Sequence, residues 1–314
     1  MKKQTDAQHA PWREFLDPAR VNRICDLKLV ARLVVEGFIS GLHRSPYRGF
    51  SVEFAEHREY APGDDPRSID WKVWSRTDKY YVKEFEEETN LKACLVLDGS
   101  ASMHYSSGGR PTKRNYACCV AAALGYLMIR QSDAVGLTVS GCCQPRYIPP
   151  RSNPTHLTAL LKEMSRFQNE PPPKTDPENS FSLAAALHAV AERMKRRGLI
   201  VILSDLWDDP AEMINGLHHL NYRGHEAILF HIWDSSEWEF PFAGATTFVD
   251  AETGEQLPTD ATLLRREYLR KAEDWRSMYS KACAQCRYDY VPVNTSTPFD
   301  RVLAGYLTRR AKLF

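Results

Sequence analysis

The sequence predicts an α/β protein built around a doubly wound, mostly parallel β-sheet. Three apolar runs with the length of buried strands, at 94–97, 199–204 and 227–233, alternate with longer segments of helical periodicity. Strands separated by helices of about 10–15 residues favour parallel pairing, with helices on both faces of the sheet. A small N-terminal β-rich arm and flanking helices are expected beside this domain.

The bulk composition is that of an ordinary globular protein. The chain has 314 residues, of which 43% are hydrophobic and 26% charged, and its net charge is +1. A charge this close to zero gives no electrostatic reason to expect nucleic acid or an anionic membrane as a partner.

The longest apolar stretch, 116–129, is shorter than the roughly 20 residues of a membrane span. We therefore expect no membrane insertion. Because residues 1–6 show no secretory signal, we expect a cytoplasmic location.

The cysteine pattern favours reduced packing residues over a disulfide framework or a metal site. Most of the eight cysteines are expected to pack in the interior, since no export signal is visible. Cys283 and Cys286 form a lone CxxC, and a zinc site needs a second pair or histidines at matching spacing. The cysteines are Cys25, Cys94, Cys118, Cys119, Cys142, Cys143, Cys283 and Cys286.

The N-terminal part of the chain predicts one helix and a β-rich arm. Apolar residues recur at helical spacing over 18–38, and Gly37 and Gly41 are expected to bracket the end of that helix. Alternating segments at 50–56 and 79–85 predict strands on either side of a polar turn. The expected divisions of the chain are a tail and helix over 1–40, a β-rich arm over 41–91, the α/β domain over 92–294 and a C-terminal helix over 295–314.

The α/β domain is expected to begin with the strand that ends at Asp98. Ser182 is a candidate helix N-cap, and Pro210 falls in a first helical turn, where proline is tolerated. Further strands are predicted at 133–139, 146–149 (an edge strand), 199–205, 227–233 and 288–293. Helices are predicted at 112–131, 154–167, 183–196, 210–220, 262–286 and 298–309.

Polar side chains follow two of the predicted strands, at the point where each strand ends. Asp98 and Asp205 come directly after buried strands, and Ser100 and Ser102 lie on the loop after Asp98. Because the carboxyl ends of parallel strands share one edge of a sheet, we expect these four side chains to converge. Carboxylate and hydroxyl oxygens suit a hard cation, Mg²⁺ or Mn²⁺, which usually retains some water. The sequence therefore predicts a metal site, with the serines as direct ligands and the aspartates bound mainly through water.

This pattern resembles the metal-ion-dependent adhesion site of von Willebrand factor A domains, whose signature is Asp-x-Ser-x-Ser. Asp98, Ser100 and Ser102 match that signature without a gap, and Asp205 is placed like the second aspartate of the family. The resemblance implies a von Willebrand factor A-like, Rossmann-type fold with a coordination position open to a carboxylate of a partner protein. The threonine ligand of the family is not found at its expected spacing. Candidates for the missing oxygen are Thr175, Ser180 and Ser182.

A second motif, over 58–71, resembles the defining segment of the domain-of-unknown-function 58 family. Segments at 83–88, 197–201 and 250–255 fit the continuation of that pattern. The resemblance implies a von Willebrand A-like domain that acts with a MoxR-type AAA+ ATPase on an unidentified client protein, as an assembly or maturation partner. The motif residues are Arg58, Tyr60, Pro62, Gly63, Asp64, Asp65, Arg67, Asp70 and Trp71.

Each motif also has a structural interpretation. Aspartate and serine after a strand often cap a helix or stabilise a turn, without any ligand. In the arm, the charges between Asp64 and Asp70 are expected to form a salt-bridged turn that holds the arm against the main domain; the alternative is a recognition surface. Trp71 is expected to be a packing residue.

A metal-dependent hydrolase is the competing functional hypothesis. Phosphatases of the haloacid dehalogenase type place a second aspartate two residues after the nucleophile, where this chain has Ser100. Neither a GxSxG elbow nor a Walker loop is present in the sequence. We therefore expect a non-enzymatic protein-binding adaptor. A third hypothesis is a scaffold whose metal site is vestigial and whose arm makes the partner contacts.

Overall fold

The computed structural model describes residues 27–42, 57–59, 80–83, 91–141, 146–172, 181–299 and 301–303. The chain divides into two compact units, one of residues 1–40 and 91–314 and the other of residues 41–90. In the smaller unit, β1 (His57–Glu59) pairs antiparallel with β2 (Tyr81–Lys83). The strand predicted at 50–56 lies outside the described residues.

The larger unit is built around a six-stranded sheet and also contains a two-stranded hairpin. Its strands are β3 Lys92–Leu97, β4 Ala134–Val139, β5 Arg146–Arg151, β6 Leu199–Ser204, β7 Glu226–Trp233, β8 Ala245–Val249, β9 Gln256–Asp260 and β10 Asp289–Asn294. The order in the large sheet is β10-β7-β6-β3-β4-β5. All neighbours in it are parallel except β4 and β5. The predicted mostly parallel sheet, with the strand at Arg146 on its edge, is therefore confirmed.

Helices connect the parallel strands. The Ser182 hydroxyl accepts a hydrogen bond from the Ala185 amide at 3.1 Å, which confirms the predicted cap. None of the helices in the described part of the chain is both long and apolar enough to cross a membrane. The described helices are Leu27–Leu42, Lys113–Arg130, Pro154–Gln168, Leu183–Arg193, Pro210–Tyr222, Ser235–Glu239 and Ala261–Gln285, with helical residues also at 299 and 301–303.

Two predicted helix ends are wrong. The first described helix continues to Leu42 and contains both Gly37 and Gly41, which were expected to end it. Val30 and Val34 of this helix are fully buried, and such burial outweighs the roughly 1 kcal/mol that each interior glycine costs. The helix after Ser182 ends at Arg193 rather than 196, because Met194 leaves helical geometry and packs into the core.

Helices cover both faces of the sheet. On one face, Cys94 and Val96 of β3 pack in a cluster with the helices Leu183–Arg193, Pro210–Tyr222 and Ala261–Gln285. On the other face, the helix Lys113–Arg130 comes so close that a Cβ at Gly125 would lie 3.5 Å from Leu95 Cδ1. The buried strands therefore have two apolar faces, which explains their unbroken apolar runs.

Two elements were not predicted. The hairpin of β8 and β9 is joined by a turn in which Gly254 has a φ of +74°, and the short helix Ser235–Glu239 precedes it. The hairpin strands are five residues long and largely exposed, so they lack the apolar run that marks the central strands.

The two edge strands of the large sheet both contain proline. Pro149 and Pro150 lie in β5, and Pro292 lies in β10. The pairing of β4 with β5 also shifts register between Val135 and Leu137. Proline has no N–H and is tolerated in a sheet mainly at such edges and irregularities.

The described cysteines are free and buried, as predicted for packing residues. Burial raises the pKa of the Cys94 thiol to about 11, so this thiol stays protonated at neutral pH. Cys25, Cys142 and Cys143 lie outside the described residues. The free, buried cysteines are Cys94, Cys118, Cys119, Cys283 and Cys286.

Candidate functional site

Asp98 and Asp205 lie at the same edge of the sheet. They follow β3 and β6, which are adjacent and parallel, with Leu97 opposite Leu203. The Asp98 amide donates to the Leu203 carbonyl oxygen at 3.1 Å and so extends this pairing by one residue. The predicted convergence of the two strand ends is therefore confirmed.

The Asp98 carboxylate is buried and surrounded by neutral donors. It is 4% exposed, and its Oδ1 accepts a hydrogen bond from the Ser100 amide at 2.9 Å. The Ser204 hydroxyl donates to Oδ2, and the Ser140 hydroxyl donates to Oδ1 at 3.5 Å. Ser140 directly follows β4 and Ser204 is the last residue of β6, the two strands that flank β3, and neither serine was predicted as a site residue.

The pKa of the Asp98 carboxyl is raised to about 7, mainly by burial and further by the nearby Asp205 and Asp208 carboxylates. Hydrogen bonds from Ser204 and Ser100 act in the opposite direction but do not offset these effects. Without a cation, this carboxyl is therefore about half protonated near neutral pH. A positive charge beside it would favour the ionised form.

The two serines of the signature lie side by side. The Oγ atoms of Ser100 and Ser102 are 3.1 Å apart, on a loop that enters the 3-10 turn Ala101–His104. Adjacent oxygens around a six-coordinate Mg²⁺ are separated by about 3.0 Å. The pair is therefore spaced as two neighbouring ligands of one cation would be.

Glycine is required where this loop passes its neighbour. A Cβ at Gly99 would lie 2.2 Å from the Ser140 carbonyl oxygen, closer than any real contact. Gly141 has a φ of +74°, and a Cβ there would lie 2.3 Å from the Gly99 carbonyl carbon. This close approach brings Ser140 to Asp98.

Asp205 forms a buried ion pair that was not predicted. Lys113 Nζ lies 2.7 Å from Asp205 Oδ2 and 2.7 Å from Glu237 Oε1, and neither Lys113 nor Asp205 is more than 1% exposed. Burial lowers the pKa of Lys113, but the two carboxylates outweigh it, so the pKa lies above its usual value. Lys113 therefore carries a permanent positive charge in contact with Asp205 and Glu237.

One oxygen of Asp205 remains unsatisfied. Its Oδ2 is paired with Lys113, whereas Oδ1 is buried and has no hydrogen-bond partner among the described residues. A buried carboxylate oxygen without a partner is costly, and such atoms often mark the place of a missing ion or water. The orphaned atom therefore fits a ligand site at Asp205.

The backbone just after Asp205 is strained. Leu206 is fully buried and has a φ of +59°, a conformation that costs a bulky residue roughly 1–2 kcal/mol. Its amide donates to the Ser204 hydroxyl at 2.8 Å, the same hydroxyl that donates to Asp98. This geometry fixes Ser204, and with it the position of the Asp98 carboxylate.

The missing family threonine is only partly accounted for. Thr175 and Ser180 lie outside the described residues. The Ser182 hydroxyl is occupied as a helix cap, and the next amide, that of Leu183, donates to Asp208 at 3.0 Å. Asp208 was not predicted as a site residue, although it follows Asp205 by only three positions.

Glu252 reaches the site from the hairpin. Its Oε1 accepts a hydrogen bond from the Ser102 amide at 3.0 Å, across 150 residues of sequence. The Glu252 carboxylate also raises the pKa of Asp208, for which burial is the main cause. Glu252 lies within the segment 250–255, which is similar to the family pattern in sequence. Nothing in the sequence connected that segment with Ser102.

The larger part of the sequence matches one known family. Residues 56–278 match the family described as "Protein of unknown function DUF58". The chain belongs to this family. Uncharacterized protein Rv1480 of Mycobacterium tuberculosis is 27% identical to this DUF58 chain over 298 residues, which cover 94% of this chain and 91% of the relative.

Two solved structures are similar to the DUF58 chain at low identity. BatB from Bacteroides thetaiotaomicron has a TM-score of 0.46 and 12% identity, and the match covers 71% of this chain and 99% of that one. An aerotolerance-related membrane protein from Bacteroides fragilis NCTC 9343, with multiple mutations to serines, has a TM-score of 0.46 and 14% identity. That match covers 70% of this chain and 99% of the other.

The family motif of the DUF58 arm lies mostly outside the described residues. Arg58 is in β1, where its backbone pairs with Val82. Both interpretations of the motif, a salt-bridged turn and a recognition surface, remain hypotheses. The motif residues outside the described part of the chain are Tyr60, Pro62, Gly63, Asp64, Asp65, Arg67, Asp70 and Trp71.

The donor set of the DUF58 site fits a hard cation that is bound partly through water. Between residues 27 and 303, no three His, Cys, Asp or Glu side chains of the described segments are grouped as a metal centre. The Ser100 and Ser102 hydroxyls and the unpartnered Asp205 Oδ1 are the oxygens available, with Asp98 behind them. Mg²⁺ usually keeps several of its waters in proteins, so a small set of protein oxygens is sufficient to bind it.

Proposed function

We propose that this DUF58 protein is a non-enzymatic adaptor that binds other proteins through a cation held at the carboxyl edge of its sheet. In this proposal it acts in the cytoplasm with a MoxR-type AAA+ ATPase, in the assembly or maturation of a client protein. The proposal includes a von Willebrand factor A-like classification of the larger unit. The signature of Asp98, Ser100 and Ser102 after a central strand supports that classification, as does the antiparallel strand at one edge of the sheet.

An excess of buried negative charge at one sheet edge carries the proposal. Lys113 supplies one positive charge, and its contacts with Asp205 and Glu237 leave the other carboxyl groups without a cation among the described residues. Buried carboxylates are stable only when they are protonated, paired or bound to metal. Asp98 and Asp205 are buried, and three partly buried carboxyl groups, Asp208, Glu237 and Glu252, add to the repulsion in this cluster.

Each residue has a role in this proposal. Ser100 and Ser102 would hold Mg²⁺ or Mn²⁺ directly, and Asp98 and Asp205 would hold it mainly through water. When bound, the cation supplies a positive charge that attracts a carboxylate from the partner. Lys113 holds Asp205 in place through their ion pair, and it compensates part of the negative charge of the cluster when no metal is bound.

Titration calorimetry with Mg²⁺ and Mn²⁺ tests the cation site. We expect the wild type to bind one cation and Ser102→Ala to bind it about tenfold or more weakly, because a direct ligand is lost. Ser106→Ala is the matched control, since Ser106 is an exposed serine of the following loop. Absence of binding to the wild type at millimolar cation would disprove the metal site.

The buried ion pair favours a second candidate, a scaffold that uses no metal. Lys113 already neutralises one oxygen of Asp205, so its ammonium group takes part of the place of a cation. In this case the folded wild type binds neither Mg²⁺ nor Mn²⁺, and Ser102→Ala and Ser106→Ala behave alike. The same titration therefore separates the two candidates.

A further inference from the structure

A cleft of about 690 Å³ opens beside Ser102, and we call it the aromatic cleft. Its aromatic wall is formed by Phe240, Phe242, Phe248 and Tyr268, which lie on and around the hairpin of β8 and β9. The rings pack on one another, with centroids 4.5 Å apart for Phe240 and Tyr268. The wall is therefore a preformed apolar surface. The volume of the cleft lies within the range of ligand pockets, about 300–1,000 Å³.

Exposed apolar side chains are concentrated around this cleft. Eight large apolar side chains of the described residues are markedly exposed, and four of them line it. Their exposed fractions are 38% for Tyr105, 44% for Trp207, 60% for Val249 and 60% for Leu257. Scattered exposed apolar residues are ordinary, but a contiguous group next to a cavity marks an interaction site.

The charge of the aromatic cleft has one sign. The hairpin turn contributes Asp250, Glu252 and Glu255 to its rim, and no Lys, Arg or His of the described chain lines it. A fourth acidic residue, Glu237, is paired with Lys113, which it shares with Asp205. The occupant must therefore bring its own positive charge to the rim.

We infer that the aromatic cleft binds an extended segment of a partner protein in which aromatic or aliphatic side chains stand next to lysine or arginine. The apolar side chains enter the cleft and cover Trp207, Val249 and Leu257, while the cations meet the carboxylates of the turn. A small ligand would fill the aromatic wall but leave these exposed residues uncovered. The inference goes beyond the proposed cation site, because it names partner chemistry that needs no metal.

Fluorescence anisotropy of a labelled peptide tests this inference on the full chain. The probe is a fluorescein-labelled twelve-residue peptide in which Phe and Leu alternate with Lys. We expect saturable binding both in Mg²⁺ and in EDTA, so a failed cation titration would leave this result standing. Two matched peptides, one with Glu in place of Lys and one with Ser in place of Phe and Leu, are expected to bind at least tenfold more weakly.

Paired variants locate the binding surface. Leu257→Ser should weaken the Phe–Lys peptide about fivefold or more, as loss of a central apolar contact does. Leu263→Ser is the control, because Leu263 is 82% exposed and does not line the cleft. Glu255→Lys should weaken binding similarly, whereas Glu267→Lys, an exposed charge on the long helix, should not.

Three results would overturn the inference. The first is no saturable binding of the Phe–Lys peptide, or equal binding of the Glu-containing peptide. The second is equal affinity of Leu257→Ser and Leu263→Ser for the probe. The third is self-association of the chain that Leu257→Ser abolishes, which would assign the aromatic cleft to a second copy of the protein instead.

Discussion

Asp98 combines two properties that are seldom found together in a structural residue. It is almost fully buried, yet all of the hydrogen bonds that it accepts come from neutral groups. A purely structural aspartate at a strand end is usually stabilised by being ionised and well solvated or paired. The environment of Asp98 instead leaves its ionised form short of positive charge.

This imbalance predicts how stability depends on pH when no metal is present. The pKa of Asp98 in the folded chain, about 7, lies above its value near 3.8 in an unfolded chain. Its contribution to the free energy of unfolding is therefore fully present below pH 4 and is lost as the pH rises to 7. The loss is on the order of 1 kcal/mol per pH unit between pH 5 and 7.

Urea unfolding of wild type and Asp98→Asn in EDTA measures this effect. The asparagine of the variant cannot ionise, so the wild-type free energy of unfolding should fall relative to that of the variant between pH 5 and pH 7. A shifted group whose pKa does not depend on the Asp98 charge, such as Glu237, titrates alike in both proteins and cancels in the difference. A difference that stays constant with pH would show that Asp98 is ionised in the fold throughout this range.

Some of the site residues could be predicted from the sequence, and others could not. Asp98, Ser100, Ser102 and Asp205 follow apolar runs, so a local pattern locates them at the ends of strands. Lys113 looks like an ordinary surface charge at the start of a helix. Its burial depends on the packing of that helix against the strand ends, and no local pattern records such packing.

Among the elements that the sequence did not predict, the hairpin of β8 and β9 contributes most to the site. It brings the Glu252 carboxylate to the Ser102 amide and supplies the acidic rim of the aromatic cleft. Its strands are short and exposed, so neither periodicity nor an apolar run predicts them. The central strands, by contrast, are buried on both faces and could be predicted almost to their ends.

The hairpin carboxylate should strengthen cation binding. In Glu252→Gln the amide oxygen can still accept the hydrogen bond from Ser102, so the hairpin contact is kept while one negative charge is lost. We expect Mn²⁺ affinity, measured by calorimetry, to fall about three- to tenfold, since one nearby charge contributes roughly 1 kcal/mol or more.

Glu255→Gln is the matched control for this change. Glu255 lies on the same turn and is exposed, but its described hydrogen bonds are made by its backbone amide and carbonyl and not by its side chain. If the two variants bind Mn²⁺ equally, the charge of Glu252 has no part in the site. The contact with Ser102 would then only fasten the hairpin.

Considered as one chain, the protein has a candidate site in its larger unit and a family motif in its smaller one. Two hypotheses divide the partner contacts between these parts. In the adaptor hypothesis the partner binds through the cation at Asp98. In the scaffold hypothesis the arm, with Arg67 and Asp70, makes the contacts.

Binding to a MoxR-type ATPase from the same organism separates these hypotheses. We expect Asp98→Ala to lose at least tenfold in affinity by surface plasmon resonance, with an unchanged circular dichroism spectrum. Arg67→Ala and Asp70→Ala are expected to bind like the wild type. The reverse pattern, an intact Asp98→Ala and weakened arm variants, would transfer the partner contact to the arm.

The prolines at both edges of the large sheet limit how this protein can meet another chain. Pro149, Pro150 and Pro292 remove amide donors from the outer strands β5 and β10. An incoming strand therefore finds an interrupted row of donors on either side, and the sheet is protected from edge-to-edge aggregation. Recognition by strand addition is therefore disfavoured at these positions, and a partner that meets the larger unit is expected to contact side chains rather than extend the large sheet.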